Sequence, residues 1–403
     1  AGSVDTAAAV SVDSAAEAAR LDHAASLAQQ EHMLYAPHHS YIPQLSHRLG
    51  FGMSAPRTFE AYPEAATLRA GWYHDWTVQG RSSQIEGMQY VQTVRIHQDL
   101  ECPTGTDFNR DRCPYVEPYS YTVRSGLYRV GDIARRFPGT LWIIGNEMDR
   151  VDWGRPAFRS VGYQDEMMPG LYAQAYHDIY WYIKRRDPSA KIAIGGIVQP
   201  TSLRLEYLTK VWDIYERKFG VPMPVDVWNT HNFILREGTN GDWGAGVPPG
   251  ASEPTGAYVD RRNDAYHVDM GIFDQQIRAF REWMKERGQQ EKPLIVTEYG
   301  VLYYNHSIFT NGLFANSDPT PTVDFMLQTF DYFLNTEDCN IGFHGDGCKL
   351  VQAWNWYIFN SDNQNHHGRL FGASSGEITP AGEAFRDWSL RNIDALAVPF
   401  PIP

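Results

Sequence analysis

The feature that most limits how this chain can fold is a rhythm. From His47 onward, eight short apolar runs rich in β-branched or aromatic residues recur, at 49–53, 68–73, 88–96, 141–144, 192–197, 225–228, 294–296 and 351–358. Runs of this length and composition read as strands. Most intervals between them carry apolar residues at helical spacing. Val123, Leu127, Val130 and Ala134 follow the third run, and Pro138-Gly139 stops that helix. Tyr172, Ala175, Tyr176, Ile179 and Ile183 follow the fourth; Leu208, Val211, Trp212 and Tyr215 follow the fifth, with Gly220 as a stop. Phe273, Ile277, Phe280 and Met284 follow the sixth, and Met326, Phe330 and Phe333 the seventh. After the eighth, Thr379 suits an N-cap and Pro380 the first helical position. The first interval is short and poor in helix signal. Strands joined by crossover helices run parallel, and they either close as a barrel or stay open as a doubly wound sheet.

Two features decide for the barrel. No glycine-rich phosphate loop follows the first strand, as in nucleotide-binding open sheets. Polar and aromatic residues instead sit at the C-terminal ends of nearly every run, where barrel enzymes build their sites. The expected fold is therefore α/β, a (β/α)8 barrel over 45–403 preceded by an Ala-rich arm at 1–44. A length of 403 residues suits such a barrel with loop insertions. Three Gly/Pro-rich stretches, roughly 99–119, 234–268 and 303–320, follow strand ends and are expected to wall a cleft. The arm offers mostly alanine for burial, so it would rest on the barrel or on a neighbouring subunit as a homo-oligomer contact.

A formal net charge of −13 argues against nucleic acid or an anionic membrane as partner. No apolar run approaches the roughly 20 residues of a membrane helix. The 12 Trp and 23 Tyr suit sugar binding, because an aromatic face packs on the C–H face of a pyranose. The four cysteines fall as two couples in polar, loop-like sequence, Cys102 with Cys113 and Cys339 with Cys348. They are expected as two disulfides in a secreted, extracellular protein, each fastening a loop beside the catalytic face. Neither couple has zinc-knuckle spacing, and no metal or cofactor is expected. Asp107, Asn109 and Asp111 match half a calcium loop, but Arg112 stands where its glycine would be. Asn305-His306-Ser307 fits the N-glycosylation pattern.

The fourth strand ends in Gly145-Asn146-Glu147 and the seventh in Thr297-Glu298-Tyr299-Gly300. Cleaving a glycosidic bond with retention needs one carboxylic acid on the leaving oxygen and one carboxylate at the anomeric carbon, about 5–5.5 Å apart. An Asn-Glu pair ending strand four and a lone Glu ending strand seven resemble glycoside hydrolase clan A over about residues 45–390. With Gly71-Trp72-Tyr73-His74-Asp75-Trp76 and Val225-Asp226 leading to His231, the chain looks closest to the glycosyl-hydrolase catalytic-core endo-β-1,3-glucanases, family 128. Families 5 and 39 come next. It departs from that family at Met148, where proline is usual, and at Asp75, where asparagine is usual.

The resemblance implies Glu147 as acid/base with a raised pKa, Glu298 as an ionised nucleophile, and Asn146 on the sugar 2-hydroxyl. It also implies His231 near the nucleophile and a strand-eight tryptophan as subsite floor. Trp354 and Trp356 share one face of that strand by period-two alternation, and Trp356 is nearer the catalytic end. Tyr299 and Trp76 complete the expected sugar-binding set, with Trp72 and Trp228 as further stacking candidates. Arg95, charged inside an apolar run, should face the barrel and pair with a carboxylate, either Glu298 or a structural one.

The expected function is a retaining glycoside hydrolase cleaving β-linked polysaccharide or oligosaccharide, endo-β-glucanase-like, by double displacement. The alternative is a non-catalytic extracellular barrel that binds carbohydrate or self-assembles. A metal-dependent barrel hydrolase would want clustered His and Asp at strand ends, and only His97 and His231 partly qualify.

Overall fold

The computed structural model describes residues 47–54, 59–80, 88–102, 109–151, 164–238, 244–257, 264–302, 318–363 and 366–397. The arm at 1–44, Asp107, Asn305 and most of the 303–320 stretch lie outside the described residues. The strands are β1 (Leu49–Gly52), β2 (Trp72–His74), β3 (Gln89–Tyr90), β4 (Gln92–Val94), β5 (Ile96–Gln98), β6 (Tyr121–Val123), β7 (Leu141–Asn146), β8 (Lys191–Gly196), β9 (Trp228–His231), β10 (Leu294–Glu298), β11 (Ala353–Trp356), β12 (Asn360–Ser361) and β13 (Phe371–Gly372). Six pair in the order β3-β2-β1-β11-β10-β9, and three more in the order β4-β7-β8. Every one of these pairings is parallel.

The two sheets are one ring. β3 and β4 are a single run broken at Val91, and parallel bridges Ala193–Val227 and Ile197–Thr230 join β8 to β9. All eight expected runs supply a stave, and no stave keeps an open edge as a doubly wound sheet would. Helices α1 (Leu127–Arg136), α2 (Pro169–Lys184), α3 (Ser202–Phe219), α4 (Met270–Glu286), α5 (Thr320–Asn335) and α6 (Pro380–Arg391) fill the intervals that carried helical spacing, and α7 (Ile393–Leu396) ends the described chain. Thr379 caps α6 by accepting the Gly382 N–H, with Pro380 opening the helix. The weak first interval holds two 3-10 turns, Phe59–Ala61 and Ala65–Leu68, instead of an α-helix.

Alternation along the staves sorts the core into two layers. Outward residues meet the helices: Trp228 packs on Trp212 of α3 and on Phe280 and Trp283 of α4. Inward residues Trp72, Val91, Leu141, Ile143, Ala193, Val227, Ile295 and Ala353 form a separate apolar plug. Closer to the C-terminal ends the inward positions turn polar. There the Thr297 hydroxyl bonds Asn229 at 2.9 Å, and His74 Nε2 lies 3.1 Å from the Thr297 carbonyl. The plug thus closes one end of the barrel and leaves the polar end for chemistry.

Both disulfides form as paired in the sequence, with Cα separations of 5.4 Å for Cys102–Cys113 and 4.7 Å for Cys339–Cys348. Their placement corrects one expectation. Cys102–Cys113 lies in the loop after β5, on the polar face, but Cys339–Cys348 precedes β11 and so sits at the opposite end. A loop that leads into a parallel stave must lie at its N-terminal end.

Candidate active site

Glu147 sits one residue beyond β7 in a left-handed turn. Gly145 has φ 90° and Glu147 itself φ 52°. A Cβ on Gly145 would come within 2.9 Å of Met148 Cγ, so the turn needs glycine there. A non-glycine residue held at positive φ costs on the order of 1–3 kcal/mol, and such strain clusters at functional sites. The Glu147 amide is tied to the Gly196 carbonyl of β8 at 2.9 Å. Glu298 closes β10, where the register against β9 slips between Val296 and Glu298 so that Glu298 is paired with His231.

These elements bring Glu147, His231 and Glu298 together. His231 lies between the carboxyls: Nδ1 is 3.3 Å from Glu147 Oε1, and Nε2 is 3.4 Å from Glu298 Oε1. One oxygen of each glutamate and one histidine nitrogen all fall within 4.8 Å of one another. A Cβ on Gly196 would strike His231 Nε2 at 2.6 Å, so glycine there makes room for the ring. Trp76 donates its indole N–H to Glu298 Oε1. Arg150 Nη1 lies 3.2 Å from Glu147 Oε2, and its Nη2 donates to the Gly244 carbonyl at 2.9 Å. By proximity the trio could hold a metal ion. Opposite edges of one imidazole face the two carboxylates, however, and a single ion binds only one ring nitrogen of a histidine. The arrangement is better described as two carboxyls coupled through an imidazole.

The electrostatics reverse the expected order of the two carboxyls. Burial raises the Glu298 carboxyl above its ordinary value, with the Glu147 charge adding to it against His231, Trp76 and Arg95. Burial also works to raise Glu147, but the Arg150 guanidinium and His231 outweigh it and hold Glu147 below the usual carboxylate range. Burial opposes the charge on His231 too, yet the two carboxylates raise it above 6.5. Arg150, three residues along the same turn, therefore favours the ionised form of Glu147, where the resemblance implied a raised carboxyl.

A stability signature follows. Burial raises the Glu298 carboxyl above its ordinary 4.5, so the folded protein holds that proton to higher pH than the unfolded chain does. The corresponding stability is present below about pH 4.5 and is lost progressively as the pH rises above it. Glu298→Gln cannot ionise, so its stability relative to wild type should improve as the pH rises above about 4.5. Thermal melts of both proteins over that rise in pH would show it; a constant difference would contradict the raised carboxyl.

Arg95 faces the barrel and pairs with Asp165 at 2.7 Å, and its charge also favours the ionised form of Glu298. The other Asp165 oxygen accepts the amides of Asn146 at 2.9 Å and Ile96 at 3.0 Å, so the pair fixes the end of β7. Asn146 is buried beside Glu147. Five expected sugar contacts are not at the mouth. Trp354 points outward onto Phe330 and Phe333, and Trp356 onto Tyr299 and Phe330, its N–H donated to Gly368. Tyr299 packs outward on Phe273 and Phe333, and Trp228 among the helices. Trp72 belongs to the inner plug. The two strand-eight tryptophans do share a face; it is the outer one.

The sequence reading missed Tyr357, Arg150 and Asp149. The ring of Tyr357 lies 5.9 Å from those of Trp76 and Phe233, and burial together with the charges of Glu298 and Glu147 raises its hydroxyl pKa. Its signal was available: Ala353, Asn355 and Tyr357 carry the inward parity of strand eight. Asp149 receives Arg204 Nη1 at 2.5 Å, and Arg204 Nε bonds Glu237 at 2.7 Å, a buried network beneath the Glu147 turn.

The fold and site together define a (β/α)8 barrel with two glutamates and a histidine at its C-terminal mouth. No family model matches the sequence. No curated protein sequence matches it either. Among solved structures the chain is similar to a family GH128 (subgroup II) endo-β-1,3-glucanase from Sorangium cellulosum, with 14% identity, TM-score 0.46, and 84% of this chain and 97% of that one covered. A GH128 (subgroup VII) oligosaccharide-binding protein from Trichoderma gamsii shows 13% identity, TM-score 0.46, and coverage of 89% and 99%. A monomeric β-xylosidase from Caulobacter crescentus shows 13% identity, TM-score 0.48, and coverage of 85% and 68%. Among the described residues no helix is long and apolar enough to cross a membrane.

Proposed function

We propose that the protein is a secreted retaining glycoside hydrolase that cleaves β-linked polysaccharide or oligosaccharide, with β-1,3-glucan the first substrate to try. One observation carries the reading: carboxyl oxygens of Glu147 and Glu298 approach within 4.8 Å at the barrel mouth. That supports a carboxylate directly attacking the sugar, since an inverting enzyme separates its carboxyls by about 6.5–9.5 Å to admit water. The choice of β-1,3-glucan rests on the motif resemblance, and secretion on the two disulfides.

In the proposed mechanism Glu298 attacks the anomeric carbon while Glu147 protonates the leaving oxygen. Water, deprotonated by Glu147, then releases the sugar from Glu298 with net retention. The Trp76 N–H lies on Glu298 and stabilises its ionised form. Asn146 is the candidate for the sugar 2-hydroxyl, and Tyr357 with Trp76 takes the stacking role expected of Trp356. The Glu147–Arg150 ion pair favours a second reading, a barrel that binds sugar without cleaving it, because an acid held ionised cannot protonate a leaving group. A panel of β-glucans, mannans and xylans, with the anomer of the first product followed by NMR, separates the two. Release of the retained anomer supports the hydrolase, inversion refutes the proposed roles, and binding without cleavage supports the second reading.

A further inference from the structure

The mechanism requires a protonated Glu147 and an ionised Glu298, whereas the Arg150 guanidinium, 3.2 Å from Glu147, favours the ionised form of that carboxyl. A route between them is built into the site. We propose that His231 is a proton relay that moves one proton from the Glu298 carboxyl to the Glu147 carboxylate before a glycosidic bond is cleaved. The inference rests on the hydrolase reading above and concerns a step that precedes its chemistry.

The geometry limits the alternatives. The carboxyl oxygens are grouped within 4.8 Å, too loosely for a direct hydrogen bond to be assumed, while opposite nitrogens of His231 reach them at 3.3 Å and 3.4 Å. Nε2 is buried, makes no well-aligned hydrogen bond, and is aimed at Glu298. The ring is fully enclosed, with Gly196 leaving no space behind it. In the transfer, which starts from the neutral Nδ1–H tautomer of His231, the O–H bond of Glu298 breaks and an N–H bond forms at Nε2. The Nδ1–H bond breaks and an O–H bond forms on Glu147 Oε1. One proton changes carboxyl, the imidazole returns neutral as its other tautomer, and no charge leaves the site. The product state is the one the reaction needs, with Nε2–H directed at an ionised Glu298. A sugar over the mouth would shut out bulk water, which makes an internal route necessary.

The charged and titratable groups around the ring are Glu147 and Asp149 beyond β7, Glu298 on β10 and His74 on β2. Arg95 and Arg150 act on it through His74 and Glu147. The placement of the pKa values, Glu147 low and Glu298 high, agrees with a proton that starts on the Glu298 side. His231 acts through the carboxyls and not on the sugar, so it is a positioning residue in this scheme.

Nitrogen NMR of the His231 ring in the intact protein tests the relay without reference to activity. Wild-type ring nitrogens should titrate together with both glutamates. Glu298→Gln should lower the pH at which the ring loses its second proton, and Glu147→Gln should change its tautomer balance. A single neutral tautomer from about pH 5 to 9, unmoved by either substitution, would overturn the relay even if the enzyme is active. As a second readout, His231→Gln keeps polar contacts but cannot carry a proton. It should lose about 10²–10³-fold in kcat/KM on a natural glucan and move the alkaline limb of its pH profile to lower pH. A loss of equal size at every pH would mean the ring only fills space, and the relay would be wrong. A wild type that cleaves nothing while the ring titrates as described would sink the hydrolase reading and leave the proton coupling standing.

Discussion

Glu298→Gln should abolish turnover on every substrate, by a factor on the order of 10⁶, as seen when covalent catalysts lose their nucleophile. Without a carboxylate no glycosyl-enzyme forms, whatever the leaving group. Glu147→Ala should behave differently. It should lose about 10²–10⁴-fold on a natural polysaccharide, whose leaving oxygen needs a proton, and much less in the first step on an activated aryl glycoside. Azide should then restore turnover of the aryl substrate by Glu147→Ala, since a small anion attacks the trapped intermediate without a general base. The discriminating measurements are burst and steady-state kinetics on both substrate types, with and without azide. Because the structure holds Glu147 ionised beside Arg150, this experiment also decides the roles. If Glu298→Gln keeps activity on aryl glycosides while Glu147→Ala loses all of it, Glu147 is the nucleophile and the assignment is reversed. Glu147→Gln, with the charge removed but the shape kept, guards against a loss caused by misfolding.

Arg204→Met should be the most destabilising single change in the neighbourhood of the site. Arg204 opens α3 with no exposed surface, and its guanidinium serves Asp149, Glu237 and the carbonyls of Ala245 and Gly246. Removing it strands two carboxylates, Asp149 with no exposure and Glu237 at 2%. Breaking a buried ion pair from one side costs about 3–5 kcal/mol. The sign of the pH dependence follows. Burial already raises Asp149 and Arg204 opposes it, so without Arg204 this carboxyl should bind its proton still more tightly in the folded state, and the deficit should grow as pH rises from about 5 to 7. Urea unfolding of wild type and variant at both pH values checks it. A deficit below about 1 kcal/mol at neutral pH would mean the network contributes little net stability. Because Asp149 also receives the Val198 amide and lies two residues past Glu147, surviving variant protein should show a displaced Glu147 and reduced turnover.

Most of the barrel was legible because strand and helix periods survive in one dimension. Each stave needs an apolar run and each crossover helix an apolar stripe, and the chain states both explicitly. Glu147 and Glu298 could be read for the same reason: the end of an apolar run marks the end of a strand, and parallel staves put all such ends on one face. His231 came with them, and the two cysteine couples because each closes a short polar loop. The sequence did not determine which parity of strand eight turns inward, because Trp354 and Trp356 are as suitable for a sugar floor as for a seam against α5. That choice was made by closure of the ring, which sends Asn355 and Tyr357 inside. Nor could the sequence place the proton. Arg150 stands three residues from Glu147 in any alignment of letters, but only the left-handed turn brings its guanidinium onto the carboxylate. The strand periods are local, and each segment carries its own. The charge on a buried carboxyl is set by whichever groups the fold gathers around it from distant parts of the chain, and for Glu298 those are His231, Glu147, Trp76 and Arg95.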